Sequence, residues 1–372
     1  MSLDDPWANE PGGDPFPFTH GKDVLNNLQW PLYPITVTMD YKAPNLHVDQ
    51  WNFSVQRQIA ADWLVSASYL GNHSIHLSAS QFINSPVFLG LGPCTLNGVQ
   101  YSTCSTTANT NERRRLTLAN PAAGKYIGAL QRVDTGATAS YNGLILSVQR
   151  RATQGITING NYTWSHCITD PGGIQTGTLG TQSYTDPNNR HFDRGNCSES
   201  ASDRRHLVNV SLVAETPRFP NSVLNVVASH WRFSPIFRVL AGEYLNITTN
   251  QDRALNAITD QRANQVLVNP YGDKSMKNYL NPAAFTLPAL GTLGNVGRSS
   301  VRGPGYWQFD IAVSRNFQVR EAQRMELRVE AFNITNTVFK MNPTTNISSN
   351  TFGQVLSARD PRIMQFALKY VF

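Results

Sequence analysis

Long stretches of this chain alternate apolar and polar residues with a period of two, the pattern of a β-strand whose two faces meet different surroundings. In Ile156–Trp164, apolar residues or glycine take every second position, and Thr or Asn takes the positions between. The same alternation recurs in Gln50–Ile59, Trp307–Ser314, Met325–Ala331 and Met364–Phe372. The pattern predicts an all-β chain.

Eleven strands are predicted, and their connections fall into a short class and a long class. The strands are expected at roughly 47–59, 62–71, 112–119, 125–134, 139–151, 155–168, 203–216, 229–248, 305–319, 322–336 and 362–372. Short turns are expected at 60–62, 120–124, 152–154, 217–221 and 320–321, and long loops at 72–111, 169–202, 249–304 and 337–361. In an antiparallel meander these strands place every long loop at one end, with the short 135–138 connection as an exception. Such asymmetry is typical of outer-membrane barrels.

The length of the segments and the position of the aromatic residues favour a transmembrane barrel over a soluble sandwich. Many predicted strands exceed the average of about 5–6 residues found in soluble sheets. Tryptophan lies near segment ends, where the aromatic girdles of a membrane barrel are found; the five positions are Trp51, Trp63, Trp164, Trp231 and Trp307. The predicted fold class is an antiparallel transmembrane β-barrel portion. A secreted, carbohydrate-binding β-sandwich is the remaining soluble alternative.

Composition agrees with strands that have one apolar and one polar face. Only 15% of the residues are charged, against roughly 25% in an average soluble domain. The sequence instead contains 34 Asn and 30 Thr. No run approaches the roughly 18–20 apolar residues of a membrane-spanning helix. The net charge of +6 comes mainly from scattered arginines, so we predict no nucleic-acid partner.

Four cysteines indicate an oxidising compartment. Their spacing favours the pairs Cys94–Cys104 and Cys167–Cys197, one of three possible pairings, and disulfides are typical of exported proteins. Zinc binding is the alternative, but the sequence lacks a C-x₂-C pair. The first residues, MSLDDPWANEPGGDPFPF, do not have the pattern of an export signal. We therefore expect the sequence to be part of a longer exported protein.

Catalytic motifs are missing from the sequence. It contains no G-x-S-x-G, H-E-x-x-H, P-loop or G-x-G-x-x-G pattern. His73 and His76 are spaced as H-x-x-H, but no acidic residue or cysteine close by in the sequence completes a metal site. We predict that the protein is not an enzyme and that it uses no cofactor and no metal.

Several segments, in their order along the chain, resemble TonB-dependent outer-membrane receptors of the Oar-like type. They are Val48–Arg57, Trp63–Gly71, Ser140–Arg151, Gly160–Ser165, Tyr279–Phe285, Gly291–Arg298, Arg302–Tyr306 and Arg328–Asn336. The resemblance implies a protein of the Gram-negative outer membrane. It also implies an export signal, a plug domain and a barrel of 22 strands. Against that pattern, residues 47–372 are expected to be the C-terminal half of the barrel, with about 11–12 strands. Residues 1–46 are expected to be an external-loop segment of a truncated parent.

The resemblance also implies a function and a set of sites. In such receptors a scarce nutrient binds external loops and is taken up without covalent chemistry; surface adhesion is the alternative role. The residues predicted to contact the ligand are Tyr184, Asn188, Asn189, Arg190 and His191. The C-terminal signal read by the barrel assembly machinery is predicted at Phe366, Leu368, Tyr370 and Phe372. Other expected partners are outer-membrane lipid, an unknown nutrient, and the TonB complex only through N-terminal parts absent from this sequence.

Overall fold

A computed structural model describes residues 32–153, 155–170, 184–197, 203–320 and 323–372. Its strands are β1 (Tyr33–Met39), β2 (His47–Ala60), β3 (Trp63–Phe82), β4 (Cys94–Leu96), β5 (Val99–Tyr101), β6 (Ile127–Thr153), β7 (Ile156–Thr169), β8 (Gly195–Asn196), β9 (His206–Glu215), β10 (Trp231–Leu240), β11 (Tyr244–Leu245), β12 (Asn264–Gln265), β13 (Phe285–Thr286), β14 (Val301–Arg302), β15 (Tyr306–Arg320), β16 (Gln323–Phe332) and β17 (Ile363–Val371). The helices are Arg115–Ala119, Pro121–Gly124 and Ser222–Ala228, and single 3₁₀ turns lie at Arg190–Asp193 and Pro282–Ala284.

Nine antiparallel strands form the main sheet. Their order is β2, β3, β6, β7, β9, β10, β15, β16 and β17, so every strand lies beside the next one along the chain. β1 joins β6 in parallel, with Tyr33 opposite Ile127, and β8 joins β7. The predicted all-β antiparallel architecture is confirmed. Residues 1–31 of the predicted external segment lie outside the described residues, and its boundary at residue 46 stays a prediction.

The connections of the main sheet separate by length, as the sequence predicts. β2–β3, β6–β7 and β15–β16 are joined by two residues each, and β9–β10 is joined by residues 216–230. These connections share one end of the sheet, called the turn end here. Residues 83–126, 170–205, 241–305 and 333–362 connect strands at the opposite loop end.

One predicted strand is wrong, and two others are a single strand. Residues 112–119 contain the helix Arg115–Ala119 instead of a strand. The predicted turn 120–124 is the helix Pro121–Gly124, whose N-cap Asn120 accepts a hydrogen bond from the amide of Ala123 at 3.3 Å. Predicted strands 125–134 and 139–151 are both parts of β6. The predicted number of barrel strands is therefore not confirmed; within the described residues nine strands follow one another in antiparallel order, and β1 and β8 are additional members of the sheet.

Cross-strand pairing gives the sheet two chemically distinct faces. Paired residues point to the same side of a sheet, and neighbours along a strand point to opposite sides. One row across seven strands consists of Val55, Ala67, Leu146, Tyr162, Val208, Val239 and Trp307. The adjacent row, on the other side, consists of Gln56, Ser66, Ser147, Asn161, Asn209, Arg238 and Gln308. The two sides are called the apolar face and the polar face.

The largest hydrophobic core identified in the described residues lies outside the sheet. Residues 241–305 and 333–362, called the loop cap, contribute its members: Ile247, Ala263, Tyr279, Leu280, Ala284, Phe285, Val296, Val301, Phe352 and Val355. Phe285 and Phe352 meet edge to face with ring centroids 5.5 Å apart. Short pairings such as β11–β14 and β12–β13 hold the backbone around this core. The long segments predicted as polar loops therefore form a packed structure.

Both predicted disulfides are present. Cys94–Cys104 closes the β4–β5 hairpin, and Cys167–Cys197 ties β7 to the residue that follows β8. Both bridges lie at the loop end of the sheet. None of the helices in the described part of the chain has the length and apolar character needed to cross a bilayer.

Candidate functional site

The apolar face has the organisation of a surface that contacts membrane lipid. Trp51, Trp164 and Trp307 lie toward its loop end and remain 40–52% exposed. Trp63 and Trp231 lie at the turn end. On β3, Trp63 is eight residues from Gly71, the partner of Trp51, a distance of about 27 Å along a strand. That spacing matches the apolar band of about 25 Å between the aromatic girdles of outer-membrane barrels.

Glycine allows one of these tryptophans to lie flat on the sheet. A Cβ atom at Gly71 would come within 2.0 Å of the Trp51 ring. Gly71 has no side chain on the apolar face, so the Trp51 indole covers the strand there. The ring is thereby fixed near the loop end of the apolar band.

The polar face is lined by amides, hydroxyls and a small number of charges. A cavity of about 430 Å³ lies over it, with Asn159, Asn161, Asn209, Ser211 and Arg238 in its wall. Asn209 donates to the Oδ1 of Asn161 at 3.1 Å across the β7–β9 pair. Such side chains suit the water-filled interior of a barrel.

Charges on the polar face of β16 pair within that strand. Arg328 and Glu330 form an ion pair of 2.5 Å. Glu326 lies opposite Lys369 of β17. The ion pair gives Glu330 a structural partner.

A second cavity, of about 530 Å³, lies at the loop end where the cap meets the sheet. Its wall is formed by Tyr271, Lys274, Tyr279, Arg302, Gly303, Pro304, Gly305, Tyr306, Trp307, Thr337, Val338, Phe339 and Lys340. This volume falls within the ~300–1,000 Å³ typical of small-molecule pockets. The wall combines aromatic rings with three cationic side chains and no Asp or Glu.

The cations of this cavity are held by aromatic and carbonyl groups. Lys274 Nζ lies 4.6 Å from the centroid of the Tyr271 ring, and Lys340 Nζ donates to the carbonyl of Lys274 at 2.5 Å. Arg302 donates to the Tyr244 hydroxyl at 2.8 Å and stacks over that ring. Among the described residues, none of the three forms a salt bridge with a carboxylate. Asp273 and Asp203 lie within electrostatic range of Lys340 and Arg302, respectively, so the positive charge of the cavity is reduced but is not cancelled by a direct ion pair.

Two of the three tyrosines of the cavity form a fixed pair. Tyr271 and Tyr279 meet edge to face with centroids 6.1 Å apart. The Tyr271 hydroxyl accepts from the amide of Arg302 at 2.9 Å. Burial raises the pKa of Tyr279 to about 12, and the neighbouring Tyr271 adds to the shift. Tyr279 therefore stays protonated near neutral pH.

The five residues predicted to contact a ligand differ in burial: two take part in packing and ion pairing, and three are exposed. Tyr184 is fully buried against Ala79 and Ala137. Arg190 forms an ion pair with Asp134 and lies over the Tyr184 ring at 5.4 Å.

The other three predicted residues are exposed. They are Asn188, Asn189 and His191. The Oδ1 of Asn188 accepts from Arg115 at 2.7 Å. Contact of the predicted five residues with a ligand stays a prediction, and these three have the surface for it.

Burial also affects the acidity of Tyr184. It raises the pKa of this hydroxyl to about 12, against an opposing effect of Arg190. The side chain is thus a neutral core residue of the loop end. It anchors the segment that begins at residue 184 to β3 and β6.

A buried charge network joins that segment to the loop cap. Arg262 forms an ion pair with Asp193, and both side chains are 3% exposed. Arg262 also donates to the carbonyls of Phe192 and Val296 at 2.7 and 2.8 Å. Asp193 in turn accepts from the hydroxyl and the amide of Thr185. Two distant loop segments are therefore fixed to each other.

Arg113 organises a third external segment in a similar way. Its guanidinium donates to the carbonyls of Val87, Leu255 and Thr106 and to the Oδ1 of Asn109, at 2.7–3.0 Å. Desolvation by burial lowers the pKa of this group. Arg113 is thus a cross-link between loops.

Asp203 lies beside the second disulfide at the loop end. Its Oδ2 accepts from the amide of Cys167 at 3.3 Å, and its Oδ1 has no hydrogen-bond partner among the described residues. Burial raises the pKa of this carboxyl, and the Cys167 amide and nearby Arg205 act in the opposite direction.

Sequence reasoning missed the cavity and both arginine networks. The segments Tyr279–Phe285 and Arg302–Tyr306 were noted for their resemblance, but nothing in their spacing joins them to Lys340. Scattered arginines in Asn/Thr-rich segments were the one available signal. Within the described residues, no group of three or more His, Cys, Asp or Glu side chains is arranged to hold a metal ion.

Comparisons with known proteins support the reading of the two faces. The model of the outer membrane beta barrel domain family matches residues 4–365. No curated protein matches the sequence significantly. A similar fold is found in the outer membrane transporter YddB from Escherichia coli, at 9% identity and a TM-score of 0.50. That match covers 91% of this chain and 34% of YddB.

Two further structures are similar at lower TM-scores. The FrpB iron transporter from Neisseria meningitidis shares 11% identity at a TM-score of 0.40, covering 90% of this chain and 32% of its own. BauA, the ferric preacinetobactin receptor from Acinetobacter baumannii, shares 10% identity at 0.39, covering 87% and 29%. The chain thus spans about a third of the length of these structures. The soluble-sandwich alternative is wrong, because the family match and the apolar face identify a membrane barrel.

Proposed function

The chain belongs to the outer membrane beta barrel domain family, and we propose that it supplies wall and external loops to a TonB-dependent transporter that takes up an anionic nutrient. Its location is the outer membrane of a Gram-negative bacterium. The likeness to YddB supports the transporter fold. The proposal treats this sequence as part of a larger barrel, as the Oar-like resemblance implies.

The two edges of the main sheet support the idea of a larger barrel. Within the described residues, β2 pairs only with β3 and β17 pairs only with β16. Unpaired backbone groups cost several kcal/mol each in a lipid environment, so spanning sheets close into barrels. Further strands would satisfy these edges. The 372 residues alone are thus not expected to form an independent transporter.

The cationic cavity at the loop end carries the proposal of an anionic ligand. It opens among external loops, its cations form no direct salt bridge with a carboxylate in the described part of the chain, and aromatic rings line the remainder. Lys274 and Lys340 approach from the two halves of the loop cap. Binding there would be non-covalent, which agrees with a transport role without catalysis. The exposed Asn188, Asn189 and His191 are proposed as additional ligand contacts.

Two partners of the proposed barrel follow from its membrane location. The apolar face is proposed to contact outer-membrane lipid. The edge strand β17 exposes Phe366, Leu368 and Tyr370 and ends beside Phe372, which supports recognition by the barrel assembly machinery. Deleting Phe372 and measuring the folded protein in the outer membrane tests that recognition. Energy would come from the TonB complex through parts outside this sequence.

A dye-binding experiment tests the anionic ligand. Outer-membrane vesicles containing the protein are titrated with carboxyfluorescein, an anionic aromatic probe, and with the cationic rhodamine 6G. The double variant Lys274→Gln/Lys340→Gln should bind carboxyfluorescein at least tenfold more weakly, because two charges each contribute of the order of 1 kcal/mol or more when partly desolvated. Lys277→Gln, an exposed lysine of the same segment, is the matched control and should change little.

Either of two results would contradict the cationic site. One is equal binding of both dyes, and the other is equal loss in the double variant and the Lys277→Gln control.

Transport and adhesion are separated by a protonophore. Energy-dependent uptake by cells carrying the complete parent protein should stop when the proton gradient collapses, whereas adhesion should persist.

A further inference from the structure

The connection between β9 and β10 contains a helix at the turn end of the sheet, Ser222–Ala228. Asn221 caps it, because its side chain accepts from the amides of Val223 and Leu224 at 2.9 and 3.2 Å. The other connections at this end have two residues each. The β9–β10 connection therefore contains a capped helix that is not needed to join two neighbouring strands.

The helix exposes apolar side chains. Val223 and Val226 are both 70% exposed, Val227 is 61% exposed and Leu224 is 49% exposed. No charged residue occurs in the helix. At about 100° per residue, the three valines share one side, and Asn225 lies on the opposite side. In water this surface would be an unfavourable apolar patch.

Contacts at its C-terminal end join the helix to the sheet. The Trp231 indole donates to the carbonyl of Val227 at 2.8 Å. Arg315 donates to the carbonyls of Val226 and Val227. Its guanidinium also lies 5.3 Å from the centroid of the Trp231 ring. These bonds fix where the helix leaves the sheet.

The point of attachment is the border of the apolar face. Trp231 is paired with Arg315, and two residues further along each strand Phe233 is paired with Val313 on the same face. A tryptophan and an arginine at the end of an apolar band are typical of the membrane–water boundary. The exposed valines therefore continue the surface that contacts lipid, instead of facing the barrel interior.

We propose that the helix Ser222–Ala228 is an interfacial anchor whose valines insert among the phospholipid acyl chains of the periplasmic leaflet. Interfacial helices lie with their apolar side roughly 5–10 Å inside the headgroup boundary. Because the helix lies in the connection between two wall strands, β9 and β10, its contact with lipid would fix the depth and rotation of that part of the wall in the membrane. This role is independent of the transported ligand.

Spin-label accessibility tests the anchor. All four native cysteines are in disulfides, so an added cysteine is the only free thiol. Labels are compared in outer-membrane vesicles at Val226→Cys, at Arg218→Cys and at Phe233→Cys. Arg218 is an exposed, charged residue of the same connection and serves as the aqueous control, and Phe233 is the lipid-face reference. Val226 should resemble Phe233, with collisions with oxygen exceeding those with a water-soluble nickel chelate severalfold. Arg218 should show the reverse preference.

An unmodified protein provides a second readout that does not depend on folding of a variant. The wild-type protein is irradiated in vesicles containing a phospholipid with a diazirine near the headgroup end of one acyl chain, and lipid adducts are mapped by mass spectrometry. Adducts on Val223, Val226 or Val227 are expected. The anchor is wrong if the strands of the apolar face acquire adducts and the helix does not, or if Val226 is as accessible to nickel as Arg218.

Discussion

The main sheet and the loop cap are stabilised by opposite means. In the cap, Ile247 and Leu280 are fully buried in a core made by the chain itself. In the sheet, Phe53 and Phe366 remain 68% and 73% exposed. With the proposed lipid contact, the sheet takes lipid as the second half of its apolar environment, whereas the cap must exclude water with its own residues. One chain therefore follows the packing rules of a membrane protein and of a soluble protein.

Charged groups show the same contrast. The loop end contains the buried pair Arg262–Asp193 and the buried Arg113, each supported by backbone carbonyls. On the sheet, Arg328 is 50% exposed and pairs with Glu330 on its own strand. Buried ion pairs are strongly destabilising when one partner is removed, whereas exposed pairs contribute little. The loop end is therefore the region more sensitive to a single charge deletion.

The largest expected effect comes from Arg262→Ala. It removes one partner of a buried pair and leaves Asp193 uncompensated, which typically costs about 3–5 kcal/mol. We expect the cap and the segment around residue 190 to separate while the strands stay paired. Limited proteolysis of intact cells should show faster cleavage in residues 241–305, with the heat-modifiable barrel unchanged.

Arg359→Ala is the control for that experiment. Arg359 is exposed and stacks on Tyr306 without an ion pair in the described residues. Its removal should leave the cleavage rate nearly unchanged. If Arg262→Ala also abolished the barrel, the cap and the sheet would be one cooperative unit and the comparison would be wrong.

A matched leucine pair gives the next effect in size. Leu280→Ala creates a cavity in the cap core, a change that typically costs about 2–5 kcal/mol. Leu146→Ala on the apolar face, where Leu146 is 42% exposed, should cost less because acyl chains fill the space. Both losses in the free energy of unfolding are measured by denaturant titration in lipid vesicles. Proteolysis monitors unfolding of the cap, and circular dichroism monitors unfolding of the strands. Equal losses would show that lipid does not substitute for protein packing.

The smallest effect concerns the border between the regions, where burial raises the pKa of Asp203 beside Cys167. Because the pKa of Asp203 is raised in the folded state, its protonated carboxyl contributes fully to the free energy of unfolding below the ordinary pKa of 3.8. This contribution is lost as the pH rises through the pKa of the folded state. In the wild type, reduction of Cys167–Cys197 by a water-soluble phosphine should therefore accelerate over that range. Asp203→Asn keeps an acceptor for the Cys167 amide and should flatten the profile.

Asp273→Asn is the control for the pH experiment. Hydrogen bonds from Ser275 lower the pKa of this exposed carboxyl, so the pKa shift of Asp273 has the opposite direction to that of Asp203. Asp273 also lies far along the chain from the disulfide. It should leave the reduction profile unchanged. A wild-type rate that falls as pH rises would contradict the assigned role of Asp203.

The strands were predictable because their pattern is local. β2, β7, β15 and β17 begin and end within one or two residues of the predicted bounds. The strand predicted at 112–119 is wrong because alternation over eight residues also fits a loop followed by a helix. The Asn120-Pro121 pair was the available signal for the start of the second helix, Pro121–Gly124. The connection predicted at 135–138 is wrong because β6 continues through it and stays paired with β3, with Ala137 opposite Leu77 and Asp134 opposite Ala79.

The ligand prediction shows the same limit at the level of a site. Tyr184 and Arg190 have suitable chemistry in the sequence, but the fold uses both for packing and ion pairing. The cavity with Lys274, Arg302 and Lys340 joins segments far apart in sequence, and neither charge nor aromatic content marks that meeting point. Its composition is visible in the sequence, and its geometry is not.

By itself the sequence determined the strand alternation, the separation of short and long connections, the disulfide pairing and the membrane class. These depend on neighbours along the chain and on the contrast between lipid and water. Only the tertiary structure decided that the long loops pack around a core, which arginines join them, which predicted site residues stay accessible, and that a helix extends the apolar face. Each of these depends on contacts between distant residues, whose free energy no local pattern contains.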